Sequence, residues 1–171
     1  MANRMNSKRA CIMIVDHDWD YGIKLADWLA SQRYQAVLVR SFQIAVPEFL
    51  DIRPGAVLVG LAQTESAFPL DLQRLFRVIE TAGTHVPVII MGNRTSGALT
   101  NIVYSGSLRH LHLSIKPVEL TYLGRLLQSE LNAAAASRHV PSTEPGPSAI
   151  QTVENRVHKR TVYREAKAWI Q

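Results

Sequence analysis

The chain has a single cysteine in 171 residues, Cys11. One thiol closes no disulfide within a chain, so a disulfide-stapled fold is excluded. Cys11 lies inside an apolar run and reads as an inert buried thiol. Long hydrophobic runs are also missing. The longest, such as Ala10–Val15, are about six residues, far below the ~18 that a membrane helix needs. Arg4, Lys8 and Arg9 precede that run, but it ends at Asp16. That is short for a secretory leader, so the expected location is the cytoplasm. No glycine-rich phosphate loop follows the first run, where the residues are Asp16-His17-Asp18-Trp19. Strong charge of one sign is absent from the body of the chain. Residues 10–134 carry ten bases and eleven acids, against three bases and no acids in residues 1–9 and six bases and three acids in 135–171. The high pI therefore comes from basic ends and implies no basic binding face on the fold.

What is present is enough apolar material for a core, at 47% hydrophobic residues. The chain is organised around Gly55-Ala56-Val57-Leu58-Val59-Gly60-Leu61. Its apolar residues run without alternation between glycines, which predicts a short strand buried on both faces at the middle of a parallel sheet. Ligands of open α/β sheets bind just past the carboxyl ends of central strands. Here that point is Gly60, which offers no side chain for chemistry.

Taken in order, Ala10–Val15 predicts a first strand, with Asp16-His17-Asp18 at its carboxyl end. A helix follows from about Asp18 to Gln32, capped by Asp18, with Gly22, Leu25, Ala26 and Leu29 on one face. Gln35–Arg40 is a second strand. Ser41 can cap a second helix, but Pro47 predicts either a break or a helix that starts at that proline. After the central strand, Pro69 opens a helix to about Ala82, with Leu72, Leu75, Phe76 and Ile79 at helical spacing. Val86–Met91 is a fourth strand, ending at Gly92-Asn93. A short helix over about Ser96–Tyr104 and a weaker strand over His110–Ser114 come next. Lys116-Pro117 closes that strand, and a last helix runs from Val118 to about Asn132, presenting Leu120, Leu123, Leu127 and Leu131. Strand–helix alternation of this kind implies a parallel sheet with right-handed crossovers and helices on both faces. Residues 1–8 read as a disordered basic N-terminus, 9–134 as the domain, 135–150 as a Pro/Ser-rich linker, and 151–171 as a basic tail with a possible short helix.

The order of elements resembles the receiver domain of bacterial response regulators over about residues 9–134. The matching stretches are Ile12-Met13-Ile14-Val15-Asp16, Arg53-Pro54, Val86-Pro87-Val88-Ile89 and Lys116-Pro117. The resemblance implies a flavodoxin-like (CheY-like) five-stranded parallel sheet, order 2-1-3-4-5, with helices on both faces. It implies a role in two-component or phosphorelay signalling. In such domains an aspartate after the third strand takes a phosphoryl group, acids after the first strand help hold magnesium, and a hydroxyl and a lysine bind the phosphate.

Aligned on strand ends, this chain departs at most of those places. The acceptor falls on Gly60, the second acid on His17, the hydroxyl residue on Gly92, and the switch aromatic on Leu113. Asp16, Lys116 and Pro117 remain. Asp18 stands one position late and reads as a helix cap. Asp51 lies at the wrong end of the central strand. The expectation is a degenerate receiver that is no enzyme, takes no cofactor and does not bind Mg2+. With the nucleophile gone, Asp16 and Lys116 are expected to pair across the end of the third strand, where Gly60 leaves room; the alternative is that both are solvated remnants. The implied partner is a signalling protein (a histidine kinase, a regulator or an output protein) or a second copy of the chain. The contact face would come from the helix over 96–104, the fifth strand and the last helix, with Tyr104, Arg109, His112, Leu113 and Tyr122 as candidates. Two other readings stay open: a small-ligand sensor using the vacated pocket near Gly60 and Gly92, and a receiver with a relocated acceptor.

Two further features carry less. His110 and His112 share a strand face, but no cysteine or carboxylate stands at ligand spacing, so they read as ordinary edge histidines and no metal site is expected. The tail carries Arg156, Lys159, Arg160, Arg164 and Lys167 with Trp169 and Ile170. That composition suits a partner-binding segment, weak contact with nucleic acid, or a solubilising tail.

Overall fold

Alternate residues of the central strand point to opposite sides of the sheet, and both sides are apolar. The computed structural model, which describes residues 9–62, 69–82, 85–92 and 110–137, turns that pattern into two cores. The strands are β1 (Cys11–Val15), β2 (Gln35–Val39), β3 (Ala56–Gly60), β4 (Val88–Gly92) and β5 (Leu111–Ile115). They pair in parallel in the order β2-β1-β3-β4-β5, so β3 is the centre, as its unbroken apolar run predicts. The helices are α1 (Trp19–Ser31), α2 (Phe42–Ile52), α3 (Leu70–Thr81) and α4 (Leu120–Ser137). On one face of the sheet Met13, Val15, Val57, Val59, Val88 and Ile90 pack with Phe42 and Phe49 of α2 and Leu72, Leu75, Phe76 and Ile79 of α3. On the other, Ile12, Ile14, Leu58, Ile89 and Met91 pack with Leu25 and Leu29 of α1 and Leu123 and Leu127 of α4. Each fully buried Leu, Ile or Phe contributes about 1.5–3 kcal/mol of transfer free energy, so these two layers hold the sheet between its helices.

Local signals set the helix ends. Asp18 caps α1, its carboxylate accepting the Tyr21 N–H at 3.1 Å. Ser41 caps α2 through the Ile44 N–H at 3.3 Å. Pro47 neither breaks α2 nor starts it: the helix is continuous from Phe42 to Ile52 with the proline inside. Pro47 and Gln43 are both on the exposed side, so the carbonyl left without a donor at Gln43 faces water, which limits the penalty. Two exposed arginines end helical segments in the left-handed region, Arg33 at φ 67° and Arg53 at φ 50°. For a non-glycine residue that conformation is held at a cost of order 1 kcal/mol.

Several expected boundaries move. β4 starts at Val88 because Pro87 has no N–H for the ladder; its carbonyl accepts from Val57 N at 3.0 Å. β5 is displaced by one residue, to 111–115. α4 continues past the expected end at Asn132 to Ser137, burying Ala134, so residues 135–137 are helix rather than linker. Leu120, expected on the core face of that helix, is 41% exposed. The Lys116–Pro117 peptide bond is cis. Among the described residues no helix is long and apolar enough to cross a membrane. The helix expected over 96–104, with Tyr104 and Arg109, and the basic tail lie outside the described residues.

Candidate functional site

Parallel register brings the strand ends level. Val15 pairs with Val39 and Val59, Gly60 with Met91, and Gly92 with Ile115. The residues just past those ends therefore share one edge of the sheet. Asp16 follows β1, with its N–H on the Val39 carbonyl at 3.1 Å. Lys116 follows β5, with its N–H on the Gly92 carbonyl at 2.9 Å. Gly60, between them at the end of β3, carries no side chain.

The Lys116 ammonium donates to Asp16 Oδ2 at 2.6 Å across that gap. Asp16 Oδ1 accepts the Asp18 N–H at 2.9 Å. Asp16 is 2% exposed, so both carboxylate oxygens are taken inside the protein. The carboxylate also fills the space over Gly60: a β-carbon added there would lie 1.8 Å from Asp16 Oδ2 and 2.1 Å from its Cγ. A buried pair of this kind pays desolvation, and its retention depends on close geometry and further hydrogen bonds; both are present.

The other expected site residues fall around this pair in different ways. His17 is exposed, its ring edge-on to Phe42 with centroids 5.3 Å apart. Gly92 is buried and contributes its carbonyl to the Lys116 backbone. Pro117 is exposed. Asp51 is in the last turn of α2, at the opposite end of β3 from the pair. Of the expected contact face, His112 and Leu113 turn to opposite sides of the sheet, as strand alternation requires. Leu113 packs toward the α2–α3 core, His112 lies against Glu130 of α4, and Tyr122 is 45% exposed on α4.

Two groups escaped the sequence reading. Tyr21, in the first turn of α1, places its ring 4.9 Å from the Lys116 ammonium. Its hydroxyl accepts the Val118 N–H at 3.1 Å. Burial raises the Tyr21 pKa; the Val118 hydrogen bond lowers it by less, and the charges of Asp16 and Asp18 raise it further. Nothing in its spacing distinguishes it from a core aromatic. The second group is Glu130, whose carboxylate lies 3.3 Å from His110 Nδ1 and 3.2 Å from His112 Nε2. His110 Nε2 shares a hydrogen bond with His85 Nδ1 at 2.9 Å. The edge histidines thus have a carboxylate between them, although none stands at ligand spacing in the sequence. It comes from the next helix, about 20 residues on, outside any local spacing rule. These donors do not converge on one point: among the described residues no group of three or more His, Cys, Asp or Glu is placed to hold a metal ion.

The fold is shared with receiver domains. The chain is similar to a CheY-like response regulator receiver domain protein from Methanospirillum hungatei JF-1, at 13% identity and TM-score 0.62 over 76% of this chain and 99% of that one. It is similar to a response regulator receiver domain protein from Clostridium thermocellum, at 17% identity and TM-score 0.61 over 75% and 98%. It is also similar to a response regulator receiver protein from Sinorhizobium medicae WSM419, at 16% identity and TM-score 0.62 over 74% and 98%. At these identities the likeness is one of fold. No family model and no curated protein matches the chain.

Proposed function

We propose that this chain is a receiver-like module of a two-component or phosphorelay pathway that works by protein–protein contact, without being phosphorylated and without catalysing a reaction. The observation that carries the reading is the position of the Asp16 carboxylate. It lies over Gly60, paired with Lys116, in the space an acceptor side chain at residue 60 would need. Phosphoryl transfer requires a nucleophile and a preorganised set of cationic partners around the transferring group. Here the position of the nucleophile has no side chain, and the lysine is already neutralised at 2.6 Å.

The same geometry supports a site without Mg2+. That ion requires near-octahedral oxygen ligands at about 2.0–2.1 Å. Asp16 has both oxygens engaged, one of them by an ammonium, and His17 supplies no oxygen. It also supports the module over a small-ligand sensor, because the space expected to be vacant beside Gly60 is filled. In this reading the pair fixes one conformation where a receiver would switch. The partner is another signalling protein or a second copy of the chain.

Intact-mass measurement after incubation of the full chain with acetyl phosphate and Mg2+ tests the reading. The expected result is an unchanged mass. A stoichiometric gain of about 80 Da, one phosphoryl group, would overturn it in favour of a relocated acceptor. Concentration-dependent stabilisation by a nucleotide or cyclic dinucleotide in a thermal-shift assay, abolished in Gly60→Ala, would overturn it in favour of a ligand sensor.

A further inference from the structure

Lysine carries its ammonium on a flexible four-carbon stem that gives up rotamer freedom when held in one geometry. A second contact besides the carboxylate helps to restrict Lys116. The ring of Tyr21 does so, 4.9 Å from the ammonium. The same side chain reaches past Pro117: its hydroxyl accepts the N–H of Val118, two residues beyond the lysine. One residue of α1 therefore touches the β5–α4 connection on both sides of Pro117, and Val118 is itself buried in the core with Leu123 and Leu127.

The contacts close on themselves. Asp16 Oδ1 holds the Asp18 N–H at the start of α1. Asp18 Oδ1 holds the Tyr21 N–H one turn on. Tyr21 holds Lys116 by its ring and Val118 by its hydroxyl, and Lys116 returns to Asp16 Oδ2. Resting on the reading of a fixed Asp16–Lys116 pair, we propose that Tyr21 is the positioning residue that closes this ring and fastens the entry of α4 to the first turn of α1. Its two ends have separable tasks. The ring positions the lysine, and the hydroxyl positions the backbone at Val118. The pair at the end of β3 is thereby coupled to the helix whose exposed Tyr122 belongs to the expected contact face.

The test uses the full chain with Tyr21→Phe, Tyr21→Leu and Asp16→Asn. Two residue-specific signals are read: exchange of the Val118 amide, and acetylation of Lys116 under limiting reagent relative to exposed Lys24. The Leu58 amide of the central strand reports on global opening. Tyr21→Phe keeps the ring and loses the acceptor, so Val118 exchange is expected to rise about five- to tenfold with Lys116 reactivity and Leu58 exchange unchanged. Tyr21→Leu is expected to raise both Val118 exchange and Lys116 reactivity. Unchanged Val118 exchange in Tyr21→Phe, or unchanged Lys116 reactivity in Tyr21→Leu, overturns the proposal. So does acceleration at Val118 and Leu58 together, since the tyrosine would then serve the fold as a whole. Asp16→Asn separates the two readings: it is expected to raise Lys116 reactivity whatever Tyr21 does, and if it does not, the fixed pair is wrong.

Discussion

The carboxylate of Asp16 stands where the side chain of residue 60 would begin. A β-carbon on Gly60 would meet Asp16 Oδ2 at 1.8 Å, Cγ at 2.1 Å and Oδ1 at 2.5 Å. Gly60 and Asp16 are therefore mutually exclusive as side-chain positions at the end of β3, and the glycine is what lets the aspartate reach Lys116.

The first prediction follows from that exclusion. Alanine normally stabilises a strand over glycine, because it restricts the unfolded chain. Gly60→Ala is expected to do the opposite, since the methyl group must drive a buried carboxylate out of its place and away from its ammonium. Overpacking alone accounts for about 1–3 kcal/mol, and loss of the pair adds to it, so a loss of about 3 kcal/mol or more is expected in urea unfolding. A loss below about 0.5 kcal/mol would mean that Asp16 has an alternative place to go.

The pair itself is expected to be asymmetric. Lys116→Met leaves Asp16 charged and 2% exposed, and removing one partner of a buried pair costs about 3–5 kcal/mol. Asp16→Asn leaves an ammonium on a flexible stem whose side chain is already 14% exposed and which can turn to water, so its loss should be smaller. Combining the two should recover part of the Lys116→Met loss, giving a coupling above about 1 kcal/mol in a double-mutant cycle. Simple additivity would show that the contact contributes nothing.

This site was largely legible from the residues, because Asp16 and Lys116 directly follow β1 and β5 and Gly60 is the last residue of β3. Strand ends in a parallel sheet are level, so the apolar runs of β1 and β3 located Asp16 and Gly60, and Lys116-Pro117, closing the weaker fifth strand, located the lysine. Asp18 was readable for the same local reason, as a cap before a periodic helix. What escaped depends on rotation about a helix axis or on solvent exposure. Glu130 meets His110 and His112 because of how α4 turns against β5. Leu120 has the spacing of a core residue but lies at the exposed start of that helix. Pro47 is tolerated within α2 because its side of the helix faces water. Tyr21 has the composition of a core aromatic, and its role comes from a hydroxyl that meets a backbone N–H 97 positions later.

Glu130 provides the next test. Its carboxylate is the acid facing both edge histidines. Glu130→Leu is expected to cost about 1–3 kcal/mol by leaving His110 Nδ1, 3.3 Å from it, without its acid. His112 Nε2 is buried with no well-formed hydrogen bond even with Glu130 in place, so His112→Leu is expected to change stability by less than about 0.5 kcal/mol. The order of these two losses is the diagnostic result. If His112→Leu were the more damaging, the histidine rather than the carboxylate would hold this junction.

Tyr21 gives a dependence on pH. Burial raises its pKa above the ordinary value of about 10. Between the unfolded and folded values the native protein holds more protons than the unfolded chain, so stability must fall as pH rises through that interval. The contribution is complete below about pH 10 and is lost above it. Phenolate absorbance should show a late-titrating component that disappears in Tyr21→Phe, while burial-raised Tyr34 keeps its own. A titration of the wild type that matches free tyrosine throughout would contradict the buried hydroxyl.

Gly124 offers a prediction in the stabilising direction. It lies inside α4, where glycine is less favourable than alanine by about 0.8–1.0 kcal/mol. A β-carbon there would lie 3.6 Å from the Trp28 ring atoms Cη2 and Cζ2, which is ordinary van der Waals contact. The new methyl would add dispersion against the α1 indole without displacing it. Gly124→Ala is therefore expected to raise stability by about 0.5–1 kcal/mol, an effect opposite in sign to that at Gly60 and measurable in the same urea series. A destabilised Gly124→Ala would show that α1 and α4 approach more closely here than 3.6 Å allows, and that the glycine is required for their packing.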